Sequence, residues 1–290
     1  MVSKYKEKDM TKNIGIIGSG IMGAGIAQIA AQAGFSITMV DLTEAQLSAA
    51  VARIKAALER SVSRGFITDE VMNTAIANIT TSDSISSVAE CDLIIENIWE
   101  ELAAKGDLLK QLELLVPATT VLASNTSTIP ITELGATVQH PERVVGMHFF
   151  NPPYAMNLVE VIRGYHTSDE TVKIVTDLSL ALNKKPVPVN DTAGFVVNRL
   201  IAPFLNEASF LLQEGVATKE DIDECVRSGL NHPMGPFQLM DLIGLDITLH
   251  EIMTVFEHTG DPKYRPSGLL QQMVTAGQLG RKTGSGWYTY

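Results

Sequence analysis

The sequence predicts an α/β domain followed by an all-α domain, and three observations carry that prediction. Short apolar runs alternate with helix-like segments through about the first 190 residues. A cluster of glycines closes the first of those runs. Beyond Asn190 the strand signal stops and helical patterns take over.

Residues 13–17 are a short apolar run, read as a buried strand. Glycines follow, then an Ala-rich helix over 21–33 that Gly34 stops. Residues 36–40 form a second strand and 44–64 a long helix. Strands are expected at 92–95, 121–123, 144–148, 158–162 and 187–189, with a helix over 100–115. Strands alternating with helices imply parallel βαβ units with helices on both faces of the sheet. In the second half, 195–213, 218–228, 241–257 and 267–276 read as helices. Thr218 with Asp221 starts one of them, and the Asn231-His232-Pro233-Met234-Gly235-Pro236 segment breaks the chain after it. The expected division is residues 1–190, with 1–12 as a flexible tail, and residues 191–290.

Composition narrows the function classes. Hydrophobic residues make up 45% and charged residues 19% of the chain, which suits a packed globular protein and excludes a disordered one. No apolar run approaches the ~20 residues of a membrane span. The net charge of −11 repels phosphate, which argues against nucleic acid or anionic membrane as a partner. Cys91 and Cys225 are the only cysteines and form no CxxC pair, so neither a disulfide framework nor a metal site is expected. The N-terminal residues lack a secretory pattern and include Glu7 and Asp9, which a transit peptide avoids. The expected location is the cytoplasm.

An anionic ligand on so acidic a chain needs a local device. Gly18-Ser19-Gly20-Ile21-Met22-Gly23 follows the first strand and opens the first helix. Gly18 permits the tight turn, Gly20 lets a pyrophosphate approach the backbone, and Gly23 lets helix and strand pack closely. The helix N-terminus, at Ile21 and Met22, supplies N–H groups and a positive dipole end. Asp41 ends the second strand, 18 residues after Gly23. A carboxylate there accepts ribose hydroxyls and repels a 2′-phosphate, which favours NAD over NADP. Strand, glycines, helix, strand and acid in this order define a Rossmann-type NAD-binding domain.

His148 ends the strand over 144–148, and Glu160 lies in the next strand after a Pro-rich turn. Ligands of open α/β sheets sit at the carboxyl ends of strands. A Glu beside a His fixes the imidazole tautomer and stabilises its charged form. A dehydrogenase needs such a base for the hydroxyl proton; a packed structural histidine is the other reading, and both stand open here. Ser124-Asn125-Thr126-Ser127 follows another strand end, with groups suited to a substrate oxygen or the nicotinamide amide; for Ser124 a polar turn is the preferred reading. Arg53, Arg60 and Arg64, spaced by seven and four, share one helical face. They are either a phosphate cradle or a solvated face.

Taken together these residues resemble the 3-hydroxyacyl-CoA dehydrogenase family, closest to its single-function bacterial members that act on 3-hydroxybutyryl-CoA. The resemblance runs from about Lys12 to Tyr290. It rests on GSGIMG at Gly18, ASNTS at Ala123, HFFNP at His148, LVEVI at Leu158, DTAGFVVNRL at Asp191, PMGPF at Pro233, DLIGLD at Asp241 and GRKTGSGWY at Gly280. It implies reversible, NAD-dependent oxidation of (S)-3-hydroxyacyl-CoA. His148 matches the family's general base and Glu160 its partner. Ser127 and Asn198 match residues that bind the reacting oxygen or steady the base. Glu100, Lys105, Asn151 and Lys282 match cofactor contacts. Lys105 and Ser127 lie where cofactor and pantetheine meet, and Arg64 where a basic residue meets coenzyme A. The resemblance also implies a helical C-terminal domain that serves substrate binding and homodimerisation.

The chain departs from the family pattern at Asn97, Trp99, Pro153-Tyr154-Ala155, Asn157 and Ala193. These bear on acyl-chain preference and cofactor affinity. Two rivals share the fold: a dehydrogenase of a free 3-hydroxy acid or sugar acid, and a non-enzymatic dinucleotide-binding dimer.

Overall fold

A computed structural model describes residues 11–290. The tail expected over 1–12 lies, except for Thr11 and Lys12, outside the described residues. The chain divides into two compact units between Asp191 and Thr192.

The first unit alternates strand and helix in the order β1 (Asn13–Ile17), α1 (Ile21–Gln32), β2 (Ser36–Val40), α2 (Glu44–Ser63), α3 (Asp69–Ala77), β3 (Ile79–Ser82), β4 (Leu93–Glu96), α4 (Leu102–Leu115), β5 (Val121–Ser124), α5 (Ile131–Gly135), β6 (Val144–Phe149), β7 (Leu158–Arg163), α6 (Asp169–Ala181) and β8 (Lys185–Asn190). All eight strands lie in one sheet, ordered β3-β2-β1-β4-β5-β6-β7-β8. Strand order reverses between β1 and β4, the crevice where such sheets bind ligands. β1 is buried at Ile14, Ile16 and Ile17, as a strand covered on both faces must be. On α2, Leu47, Ala50, Ile54 and Leu58 repeat at helical spacing and form the buried stripe. Thr43 caps that helix, accepting from Gln46 N at 3.3 Å.

The α/β class is as expected, but its parallel rule fails at one edge. β6 and β7 are antiparallel, and β8 runs parallel to β7. Only residues 150–157 join β6 to β7, and a parallel crossover needs about a dozen or more. α3, β3, α5 and α6 were not foreseen. Two of them carried a legible start: Thr68 caps α3 through Val71 N, and Ser168 caps α6 through Thr171 N, each followed by two acidic residues.

The second unit is helical: α7 (Val197–Gln213), α8 (Lys219–Leu230), α9 (Pro236–Ile243), α10 (Leu245–Thr259) and α11 (Gly268–Thr275). The single helix expected over 241–257 is two helices. Gly244 separates them with φ +108, outside the helical range. Two buried carboxylates then staple the C-terminal residues. Asp241 accepts from Trp287 N and Tyr288 N, both at 2.8 Å, and Asp223 accepts from Phe237 N and Tyr288 Oη, also at 2.8 Å. Among the described residues no helix is long and apolar enough to cross a membrane, and no cluster of metal ligands occurs.

Candidate active site

The glycine loop is shaped by what its backbone must approach. Gly18 has φ +91, and a Cβ there would lie 2.6 Å from the Asn97 carbonyl oxygen. A Cβ on Gly23 would lie 1.8 Å from the Gly18 carbonyl oxygen, so any side chain would push α1 off the turn. Gly20 differs: a Cβ there would meet nothing within 4 Å. It faces open space at the N-terminus of α1, which has no side-chain cap and no acidic residue in its first turn. The main-chain N–H groups of Ile21 and Met22 are first-turn donors that the helix itself cannot satisfy. This arrangement fits a dinucleotide pyrophosphate.

Asp41 at the end of β2 is drawn onto this loop. Its Oδ2 accepts from Ser19 N and Ser19 Oγ, both at 2.6 Å, and its Oδ1 from Leu42 N at 2.7 Å. Burial alone would raise this carboxyl, but the three donors outweigh it and hold it below the usual carboxylate range. Arg53, on α2, reaches the same loop: its guanidinium donates to Ser19 O at 2.7 Å, while Arg60 and Arg64 line a pocket that it does not.

The antiparallel edge makes the acid–base pair. His148 and Glu160 are direct cross-strand partners in the β6–β7 register, so their side chains share one face of the sheet. His148 Nδ1 and Glu160 Oε2 are 2.7 Å apart, and both side chains are buried. Phe150 packs on the imidazole, with ring centroids 4.5 Å apart.

The loops after β4 and β5 are joined by a buried ionic network. Lys105 Nζ lies 2.7 Å from Glu96 Oε1 and 3.4 Å from Glu100 Oε2, and its side chain is 1% accessible. Glu96 Oε2 accepts from Ser124 Oγ at 2.6 Å. Glu100 Oε1 accepts from Thr126 Oγ1, Ser127 N and Thr128 N at 2.6, 2.8 and 2.9 Å. The helix expected from Glu100 begins at Leu102, which leaves Glu100 in the loop. Burial would raise its carboxyl, yet Lys105 and the Thr126–Thr128 donors hold it below the usual range. Lys105 is therefore no exposed cation. Asn125 links the next strand end: its Oδ1 accepts from Phe149 N at 2.8 Å and its Nδ2 donates to Asn97 Oδ1 at 3.0 Å. Ser124, Asn125 and Thr126 thus each hydrogen-bond a protein partner, as the polar-turn reading preferred for Ser124 expects. Asn97, one of the departures, is what Asn125 holds on to.

Arg60 and Arg64 line a pocket of about 120 Å³ with Gln28, Ser61, Phe66 and Tyr154. The two arginines bring positive charge to an otherwise acidic chain. Asn151 is exposed at the start of the β6–β7 connection. Asn198 and Lys282 belong to the second unit. There Asn198 is buried in the first turn of α7, and Lys282 is paired with Asp246 at 2.7 Å.

This fold and this site define a nucleotide-dependent oxidoreductase. Comparison with known proteins gives the class a family. Residues 13–192 match the model of the 3-hydroxyacyl-CoA dehydrogenase NAD binding domain, and residues 194–290 match that family's C-terminal domain. A probable 3-hydroxybutyryl-CoA dehydrogenase of Bacillus subtilis is 46% identical over 96% of this chain and 97% of its own. The human mitochondrial hydroxyacyl-coenzyme A dehydrogenase is 40% identical over 99% of this chain and 94% of its own. The crystal structure of (S)-3-hydroxybutyryl-CoA dehydrogenase from Ralstonia eutropha superposes with a TM-score of 0.94 at 44% identity, covering 97% of this chain and 99% of that one. The chain belongs to the 3-hydroxyacyl-CoA dehydrogenase family.

Proposed function

We propose that the chain catalyses the reversible, NAD-dependent oxidation of (S)-3-hydroxyacyl-CoA, with 3-hydroxybutyryl-CoA as the first substrate to test. The observation that carries this reading is the buried His148–Glu160 pair at the carboxyl end of β6, on a sheet whose glycine loop fits a dinucleotide. NAD, when bound, supplies the acceptor for the C3 hydrogen and its electron pair. Glu160 holds His148 Nδ1, which orients the ring and leaves Nε2 as the nitrogen that takes the hydroxyl proton. The carboxylate then balances the imidazolium that results. In the reductive direction His148 returns that proton to the carbonyl oxygen.

Gly18, Gly20 and Gly23 shape the pyrophosphate cradle, Ile21 and Met22 donate to it, and Asp41 receives the adenosine ribose. Glu100 and Lys105 act on the cofactor side by holding the loop that carries Ser127. Ser127 contacts the reacting oxygen. Asn151, Asn198 and Lys282 are assigned to cofactor and substrate by the family resemblance alone. Arg60 and Arg64 meet the phosphates of coenzyme A, for which a free hydroxy acid has no counterpart. A homodimer through the second unit completes the proposal, supported by the exposed Leu200, Leu230 and Leu242. A cytoplasmic location suits two free cysteines.

The test is the rate of acetoacetyl-CoA reduction with NADH and NADPH in parallel, beside free acetoacetate. Turnover of the thioester with NADH, exceeding that with NADPH, is expected. Turnover of acetoacetate alone would replace this reading with that of a free-acid dehydrogenase. Cofactor binding without turnover of either would make the chain a non-enzymatic binder.

A further inference from the structure

Lys184 is a buried cation whose described partners are two main-chain carbonyls. Its Nζ donates to Pro153 O at 2.6 Å and to Met156 O at 2.9 Å. Burying an ammonium is costly unless it is hydrogen-bonded, and charge-assisted bonds to carbonyls offset that cost. Burial also pulls the Lys184 pKa below that of an ordinary lysine. The cation is therefore kept where it is for what it holds.

What it holds is the turn between the two catalytic strands. Ala155 N and Met156 N both donate to Pro152 O, at 3.0 and 3.1 Å, which closes the turn. Lys184 anchors it on either side of Tyr154. A third anchor lies on α1: a Cβ on Gly25 would fall 2.9 Å from Pro153 Cγ and Cδ, so the proline ring is seated against the helix at a position only glycine permits. One helical turn further along α1, Gln28 lines the pocket of Arg60 and Arg64, and Tyr154 lines it as well. The Tyr154 ring is exposed, as is that of Phe66, the other aromatic of the pocket. Two aromatic faces beside two guanidinium groups suit a nucleobase and its phosphates.

We propose that Lys184 is a positioning residue that fixes the Pro153–Met156 turn so that Tyr154 walls the Arg60–Arg64 pocket and selects the nucleotide end of the thioester. This rests on the proposed acyl-CoA activity and adds to it a specificity residue, Tyr154, and the cation that holds it. Neither acts on the reacting carbon.

The test compares acetoacetyl-CoA with acetoacetyl-pantetheine, which keeps the reacting group and lacks the nucleotide. The readout is the ratio of their kcat/KM values. Tyr154→Ala is expected to lower that ratio about three- to tenfold, the range of one aromatic contact, through KM for the CoA thioester. Lys184→Met is expected to lower it to the same extent, and the double variant no further than Tyr154→Ala alone. Lys184→Ala takes the place of Lys184→Met as the single variant if the methionine variant does not fold, and Lys184→Gln, which keeps two N–H donors, is the control expected to retain more of the ratio than either. A ratio unchanged in either single variant overturns the inference, as does a double variant in which the two effects multiply. Failure of the unaltered chain to turn over either thioester would bring down the proposed activity itself, and the inference with it.

Discussion

His148 and Glu160 face each other across β6 and β7, with Nδ1 2.7 Å from Oε2 and both groups shut away from solvent. A buried imidazole so held has one tautomer and one orientation. Proton transfer by a positioned base contributes about 10²–10⁴-fold. His148→Gln is therefore expected to lower kcat for acetoacetyl-CoA by about that factor while NADH still binds. Glu160→Gln is expected to lower kcat as well, since an amide neither orients the ring as an acceptor on both sides nor balances its charge. Steady-state kinetics with NADH titrations by fluorescence check both; near-normal turnover in His148→Gln would remove it as the base.

Glu96 and Lys105 are a buried pair of another kind, 2.7 Å apart with side chains 0% and 1% accessible. Removing one partner of such a pair leaves an uncompensated buried charge, at a cost of about 3–5 kcal/mol. Lys105→Met is expected to be destabilised by about that amount. Adding Glu96→Gln should recover part of the loss, because the stranded carboxylate goes with it. Urea unfolding followed by far-UV circular dichroism gives both values. A double variant less stable than Lys105→Met would contradict this account.

Much of the candidate site is legible because its residues lie where strand ends and glycines fall in the sequence. Gly18 to Gly23, Asp41, His148 and Glu160 follow the elements that carry them. What periodicity could not supply was register. It gave no sign that β7 turns back on β6, and that reversal is what sets Glu160 opposite His148. Nor could it separate Arg53 from Arg60 and Arg64, since a helical wheel ignores what lies beyond the helix. Lys184 left no trace at all: its partners are carbonyls, and every residue has one. Gly244 gives no break signal in the pattern, because apolar residues continue on both sides of it, although its φ of +108 ends one helix and starts the next.

Glu100 gives a pH dependence with a definite sign. Its folded carboxyl lies below the usual range, burial notwithstanding, because of Lys105 and the donors of Thr126, Ser127 and Thr128. A depressed carboxyl stabilises the fold fully above its unfolded pKa, about 4.3 for a glutamate, and loses that contribution as pH falls through the folded value. The stability gap between the unaltered chain and Glu100→Gln should thus be widest near neutral pH and close on acidification below about pH 4. Urea midpoints collected from pH 7 downward test this. A gap that stays constant with pH would mean that the carboxylate charge is not what holds the 126–128 loop.

Asp41 is the residue proposed above to choose between the two nicotinamide cofactors. Its carboxylate is fixed by Ser19 N and Ser19 Oγ at 2.6 Å, so it stands at the mouth of the glycine loop with its charge intact. In the proposed role it would accept the ribose hydroxyls of NADH and repel the extra phosphate of NADPH. Asp41→Asn keeps the size and removes the charge. Losing a hydrogen bond to a charged group costs about 1.5–3 kcal/mol, so NADH should bind about ten- to a hundredfold more weakly. NADPH should bind better than it does to the unaltered chain, because the repulsion is gone. The two effects have opposite signs, which separates them from a general loosening of the loop: that would weaken both cofactors together. Parallel titrations of the variant with NADH and NADPH decide the matter, and a fall in affinity for both would assign Asp41 to holding Ser19 instead of choosing the cofactor.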